Sequence, residues 1–295
     1  MKALSLTGAC DLHIHSSPDI VDRIGNDVEI ARRARDAGMR AIVYKCVLEP
    51  TVSRAWHTME QVEGISVFGG IVLDHHVGGI NPSAVEPVIK MGGKVVWLPT
   101  YHAQGHAEAF GAIGSFGYVE EERKGYCLEP ITILREDGRI RDEVLTVMEQ
   151  CRDADIILAT GHISKRETYL LAKEAKERGF HKLVVNHPFF KVPKMTVEEV
   201  GALVELGAYV EFCANELCPI PESANLYDYI ECFRRFGVSR FILASDAGHN
   251  RKGWPAEELR IFAQLLGYAG AGTEELKQML CDNYVELLGL SESGK

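Results

Sequence analysis

Two histidines one residue apart are the first feature with chemical content. In Asp11-Leu-His13-Ile-His15 an extended backbone places both imidazoles on one face, where they can share one divalent ion. Three later strand-like runs end in residues of the same kind: Thr160-Gly161-His162, Asn186-His187-Pro188 and Ser245-Asp246. Four imidazoles and a carboxylate suit zinc, with manganese or iron as the alternatives. A lone buried histidine usually satisfies a local hydrogen bond, and an isolated His-x-His is a weak motif. Five candidate ligands at four strand ends form a much stronger signal.

Lys45, in the apolar run AIVYKCV, is the sixth candidate ligand. A lysine in a buried strand is costly unless it is neutral, paired or chemically modified. Carboxylation would turn it into an anionic oxygen ligand and admit two ions. Pairing with Asp11 or Asp246 would leave one. His102, in LPTYHA, is a further ligand candidate.

These residues need a frame that brings distant strand ends together. Eight β-rich runs, at 9–15, 41–47, 66–73, 94–100, 155–161, 182–187, 208–214 and 240–246, are mostly continuous apolar stretches, as in parallel strands buried on both faces. Helical patterns at 27–37, 52–62, 83–91, 141–151, 165–178, 196–206 and 227–236 separate them, and two more at 255–266 and 273–288 close the chain. DAGMRAIV, KMGGKVVW, ERGFHKLVV, ELGAYVEF and RFGVSRFIL each place a glycine between helix and strand, where a C-cap wants positive φ. The alternation predicts a (β/α)₈ TIM barrel in one domain over 1–295, with the active site at the C-terminal ends of the strands. An insertion at 103–140, between strands four and five, interrupts the rhythm and carries a hairpin signal at Asp137-Gly138. It is either a lid or a surface excursion.

The order His-x-His, His, His, Asp resembles the amidohydrolase superfamily. DLHIHSSPD, GGINP, LATGHIS, VVNHPF and ASDAGHN look more specifically like an uncharacterised amidohydrolase-like family of unknown function. The resemblance covers nearly the whole chain and implies the barrel and a metal-dependent hydrolase. Many binuclear members bridge their metals with a carboxylated lysine or a glutamate on strand four, and LPTYHA offers neither. The expected reaction is attack of an activated water on an amide, cyclic amide or lactone. Asp246 handles protons, and His187 or the metal steadies the oxyanion. Metal-dependent decarboxylases of the same superfamily are one alternative. A phosphoesterase of the polymerase-and-histidinol-phosphatase type is another, but that family usually ends in Asp-x-His, and here two residues separate Asp246 from His249.

Weaker candidates are His75 and His76, on a glycine-rich loop that either approaches the substrate or, by preference, is solvated; Glu211 and Asn215, as substrate contacts, with Glu211 equally an internal ion-pair partner; and Arg23 and Arg54, as carboxylate clamps, with at least one of them read as a surface arginine. His57, His106 and His181 look peripheral, and His249 is placed just behind the ligands. A net charge of −10 argues against nucleic acid, and no apolar run is long enough for a membrane span. The N-terminus lacks the pattern of a signal peptide, and eight scattered cysteines without C-x-x-C suggest reduced core residues. A cytoplasmic enzyme acting on a small molecule is expected, with homo-oligomerisation left open.

Overall fold

The computed structural model describes residues 4–114, 128–217 and 224–291. The middle of the 103–140 insertion, and Cys127 and Cys218, lie outside the described residues. The fold is the expected (β/α)₈ barrel. Its strands, all parallel, are β1 (Cys10–Ile14), β2 (Ala41–Tyr44), β3 (Ser66–Phe68), β4 (Gly70–Val72), β5 (Val95–Trp97), β6 (Ile157–Ala159), β7 (Leu183–Asn186), β8 (Tyr209–Cys213) and β9 (Phe241–Ala244).

Among the described residues nine strands stand where eight were expected, because SVFGGIVL is cut at Gly69 into β3 and β4. Thr51 makes the cut. Its backbone N–H donates to Gly70 O (2.9 Å), and its hydroxyl oxygen accepts from Gly70 N (2.9 Å). A Cβ on Gly69 would lie 2.4 Å from the Thr51 carbonyl carbon, so only glycine admits this approach. At the mouth the wall runs from β9 back to β1: Ile14 bridges Ala247, and His15 N donates to Ala247 O at 2.9 Å.

Alternate strand residues separate into two packed sets. Val43, Val95, Trp97, Ile157, Ala159, Tyr209 and Ile242 fill the barrel interior. Ile42, Val96, Leu98, Leu158, Val210, Phe241 and Leu243 pack outward against the helices. Extending the inner set by period two reaches Lys45 just beyond β2, Glu211 and Cys213 on β8, and Asp246 beyond β9.

The surrounding helices are α1 (Asp27–Asp36), α2 (Val52–Met59), α3 (Pro82–Lys90), α4 (Gln104–Phe110), α5 (Asp142–Asp153), α6 (Lys165–Glu177), α7 (Val197–Glu205), α8 (Leu226–Phe236) and α9 (Pro255–Ala269). Capping boxes at Asn26, Ser164 and Thr196 start α1, α6 and α7. The expected glycine punctuation is present, with φ +84 at Gly38 and +93 at Gly207. The last helical pattern is α10 (Thr273–Lys277), a π turn and α11 (Asn283–Leu288). Tyr284 from α11 packs into the inner set and donates to Leu243 O at 2.8 Å, closing the end opposite the mouth.

The 103–140 segment contributes α4 and a turn in which Arg135 N donates to Arg139 O (2.8 Å), the hairpin anticipated around Asp137-Gly138. Among the described residues, no helix is long and apolar enough to cross a membrane.

Candidate metal centre

The end of β1 is anchored before it is functional. The buried Asp11 carboxylate accepts from His13 N (3.0 Å) and from Ser245 N (3.2 Å), tying β1 to β9. His13 is buried beyond this tie. Its Nδ1 lies 3.2 Å from Glu211 Oε2 and its Nε2 3.2 Å from Asp246 Oδ1. His15 Nδ1 meets Lys45 O at 3.0 Å, and its Nε2 meets the same Asp246 Oδ1 at 3.2 Å.

Proton positions follow from these partners. A backbone carbonyl only accepts, so His15 Nδ1 carries the proton and Nε2 keeps its lone pair. Glu211 accepts in the same way from His13 Nδ1. Burial would lift the Glu211 carboxyl, but His13 and an amide hydrogen bond from Asn186 hold it below its ordinary range. Two imidazole nitrogens and a carboxylate oxygen therefore meet at one point. Nitrogen and carboxylate oxygen gathered in this way suit a divalent ion. Lys45 Nζ, 3.1 Å from His13 Nε2, stands beside that point.

His162 and His187 come in from β6 and β7. Gly161, at φ +57, turns the chain where a Cβ would fall 2.3 Å from Leu98 O, and Gly161 N donates to Asn186 Oδ1 (2.8 Å). The His162 ring lies 4.9 Å from His187, and His187 lies 5.9 Å from His13. Both ring nitrogens of His187 are buried without a hydrogen-bond partner among the described residues. Such an orphan costs about 1–3 kcal/mol unless something else binds it. His187 (φ +29) and Asp246 (φ +47) also sit in the left-handed region, backbone strain of the kind concentrated at functional sites.

Burial and neighbouring charges shift these groups strongly. Burial alone would raise Asp246, but His13, His15 and His187 outweigh it and hold the carboxyl well below its usual range. Burial and Arg23 push His15 down to about 4 against the pull of Asp246, and burial pushes His187 down to about 4. Burial also lowers the Lys45 ammonium, against Asp246 and Glu211, and lifts Asp11 to about 7.

These shifts predict an acid instability. With folded values near 4 and an ordinary value of 6.5, His15 and His187 take up protons in the unfolded chain first. Stability is then full above pH 6.5 and falls as pH drops from there toward 4, by about 1.4 kcal/mol per pH unit for each histidine. Denaturant titrations of chelator-treated protein at several pH values check this; an unchanged midpoint across that range contradicts it.

Several sequence expectations need correction. Arg54 is no free clamp: it is ion-paired with Asp27 (2.8 Å) and Glu49 (3.2 Å). Arg23 is paired with Asp19 at 2.7 Å. His106 is fully buried rather than peripheral, with its Nδ1 2.8 Å from His162 Nδ1. His75 and His76 are half-buried rather than a solvated loop, with rings 5.0 and 4.9 Å from His102. His102 stands apart from the centre, next to Asp74, whose carboxylate accepts from the backbone of Thr100, Tyr101 and His102. Glu211 is the partner of His13, and Asn215 donates to Asp246 Oδ2 at 3.0 Å. No ion pair within 4.0 Å joins Lys45 to Asp11 or Asp246 among the described residues. His249 Nδ1 accepts from Arg251 N at 3.2 Å. His57 and His181 are exposed.

Cys213 escaped the sequence reading. Donor atoms of His13, Cys213 and Asp246 all lie within 4.8 Å of one another. A single cysteine in an apolar strand reads as core, and only period-two alternation from Glu211 could have placed it at the site.

Glu211→Gln is expected to weaken metal binding about 10–100-fold with the fold intact, the usual cost of losing a carboxylate behind a ligating histidine. Competition with a chromophoric chelator measures it; unchanged affinity excludes the orienting role.

A family model described as a family of unknown function (DUF6282) matches residues 8–211. No curated protein matches the sequence. Solved structures share the fold. A putative 2-pyrone-4,6-dicarboxylic acid hydrolase from Pseudomonas putida aligns at TM-score 0.62 and 13% identity, over 98% of this chain and 100% of its own. The probable dipeptidase PvdM from Pseudomonas aeruginosa aligns at 0.60 and 12%, over 95% and 94%. A 2,6-dihydroxybenzoate decarboxylase from Rhizobium aligns at 0.57 and 10%, over 96% and 99%. At such identities the likeness is one of fold alone.

Proposed function

Because this chain belongs to the family of unknown function DUF6282, whose description assigns no reaction, we propose from the site itself that it is a metal-dependent hydrolase. It would cleave an amide, cyclic amide or lactone of a small molecule in the cytoplasm. One observation carries the reading: the Nε2 atoms of His13 and His15 converge on Asp246 Oδ1, each at 3.2 Å. The orphaned nitrogens of His187 fit the same conclusion.

His13, His15 and Asp246 would hold a divalent ion, zinc first and manganese or iron next, with His187, His162 and Lys45 completing the set. When bound, such an ion acidifies water and polarises a carbonyl. The protein does the rest. Glu211 and the Lys45 carbonyl fix the tautomers of His13 and His15. Asn215 holds Asp246 Oδ2 in place, leaving Oδ1 facing the centre. Asp246 takes the proton of the attacking water and returns one to the leaving group. His187, held neutral by burial, faces the developing oxyanion. A carboxylated Lys45 would admit a second ion.

Decarboxylation is the second reading. β5 ends without a lysine or glutamate to bridge two metals, which favours a one-metal site, and the Rhizobium protein of the same fold is named a decarboxylase. Elemental analysis after chelator-free purification tests both, with about one to two equivalents of a divalent transition metal expected. Protein that is metal-free, and stays so after incubation with zinc and manganese, overturns the proposal.

A further inference from the structure

Resting on the metal-dependent reading above, we infer that Cys213 is itself a ligand: its thiolate binds the ion held by His13 and Asp246. Cys213 is the last residue of β8, with no exposed surface. It pairs in register with Ala244, two residues before Asp246. The alternation that turns Glu211 toward His13 turns Cys213 the same way, one step nearer the mouth.

The grouping is selective. Among the described residues, His13, Cys213 and Asp246 form the single set of three histidine, cysteine or carboxylate donors whose atoms all lie within 4.8 Å. Zinc draws nitrogen and sulfur ligands to about 3.5 Å of one another, given bonds of ~2.0 and ~2.3 Å at a tetrahedral angle. Small side-chain rotations cover the difference. His13 Nδ1 is engaged by Glu211, so Nε2 is the atom it offers. The neighbouring His187 supplies an independent sign of a ligand, because both its nitrogens are buried and unbonded.

In this assignment the Cys213 S–H bond breaks as the sulfur–metal bond forms, and the proton passes to solvent. A thiolate softens a set otherwise made of imidazole and carboxylate. The centre should then select zinc or cobalt over manganese and magnesium, which prefer oxygen.

The test uses X-ray absorption on the full-length zinc protein and optical absorption on the cobalt-loaded form. A sulfur scatterer at about 2.3 Å beside nitrogen and oxygen at about 2.0 Å is expected, with a near-ultraviolet sulfur-to-cobalt band. Cys213→Ser should abolish the band, keep the cobalt and lose at least tenfold in preference for zinc over manganese. Zinc or cobalt bound with nitrogen and oxygen alone overturns the assignment and leaves the hydrolase reading standing. A band that persists in Cys213→Ser overturns it too. Failure to bind either metal removes both. The scattering measurement on the unmodified protein decides the question even if the variant does not fold.

Discussion

Asp246→Asn is expected to lower turnover about 10²–10⁴-fold while most of the metal stays bound, the usual contribution of a positioned acid–base group. Asparagine keeps the shape and one oxygen but loses the charge and the basicity. Asp246 Oδ1 faces His13 and His15, while Oδ2 is held by Asn215, so the replacement has little room to move. Turnover of an accepted amide or lactone, measured with metal content on the same sample, gives the answer. Near wild-type turnover with full metal would falsify the proton-transfer role. If the carboxylate only shaped the site, the variant would melt earlier and keep its activity.

His13→Ala should act differently and at least as strongly. Metal content should fall from about one equivalent to almost none, and turnover should vanish with it, because a ligand is removed and nothing replaces it. The loss spreads through its neighbours. Glu211, its partner at 3.2 Å, becomes a buried carboxylate holding only the Asn186 contact, and Lys45 loses the nitrogen 3.1 Å away. Elemental analysis of His13→Ala beside His57→Ala, which changes an exposed residue, checks the prediction. Equal metal in both removes His13 from the ligand set.

Much of this architecture is legible in the residues. Strand and helix positions follow from apolar runs and glycine punctuation, and the polar strand ends point to one mouth. What is not legible depends on contacts between distant segments. Gly69 sits inside a continuous apolar run, and nothing local announces that Thr51 will wedge against it. His106 reads as an ordinary histidine of a glycine-rich insertion until α4 folds back onto His162. The role of Glu211 stays ambiguous in sequence because a carboxylate inside a barrel can serve a substrate or a ligand with equal ease. The fate of Arg54 depends on Asp27, on a helix it meets only in the folded chain.

The bond between His106 and His162 bears on how this family can diversify. Barrel enzymes change substrate by exchanging the loops above the strands while the chemical residues below stay fixed. Here α4, at the start of the longest such loop, carries an imidazole that touches a strand-end imidazole at 2.8 Å. The two ends of the segment are also stitched to each other, Gln104 N donating to Ile131 O, and the returning end is tied to α6, Ile133 N donating to Glu167. The segment is therefore no freely exchangeable module. Grafting a foreign loop between β5 and α5 would remove the neighbour of His162 along with the old specificity, so new substrates in this lineage should arise by substitutions within the excursion rather than by its wholesale replacement.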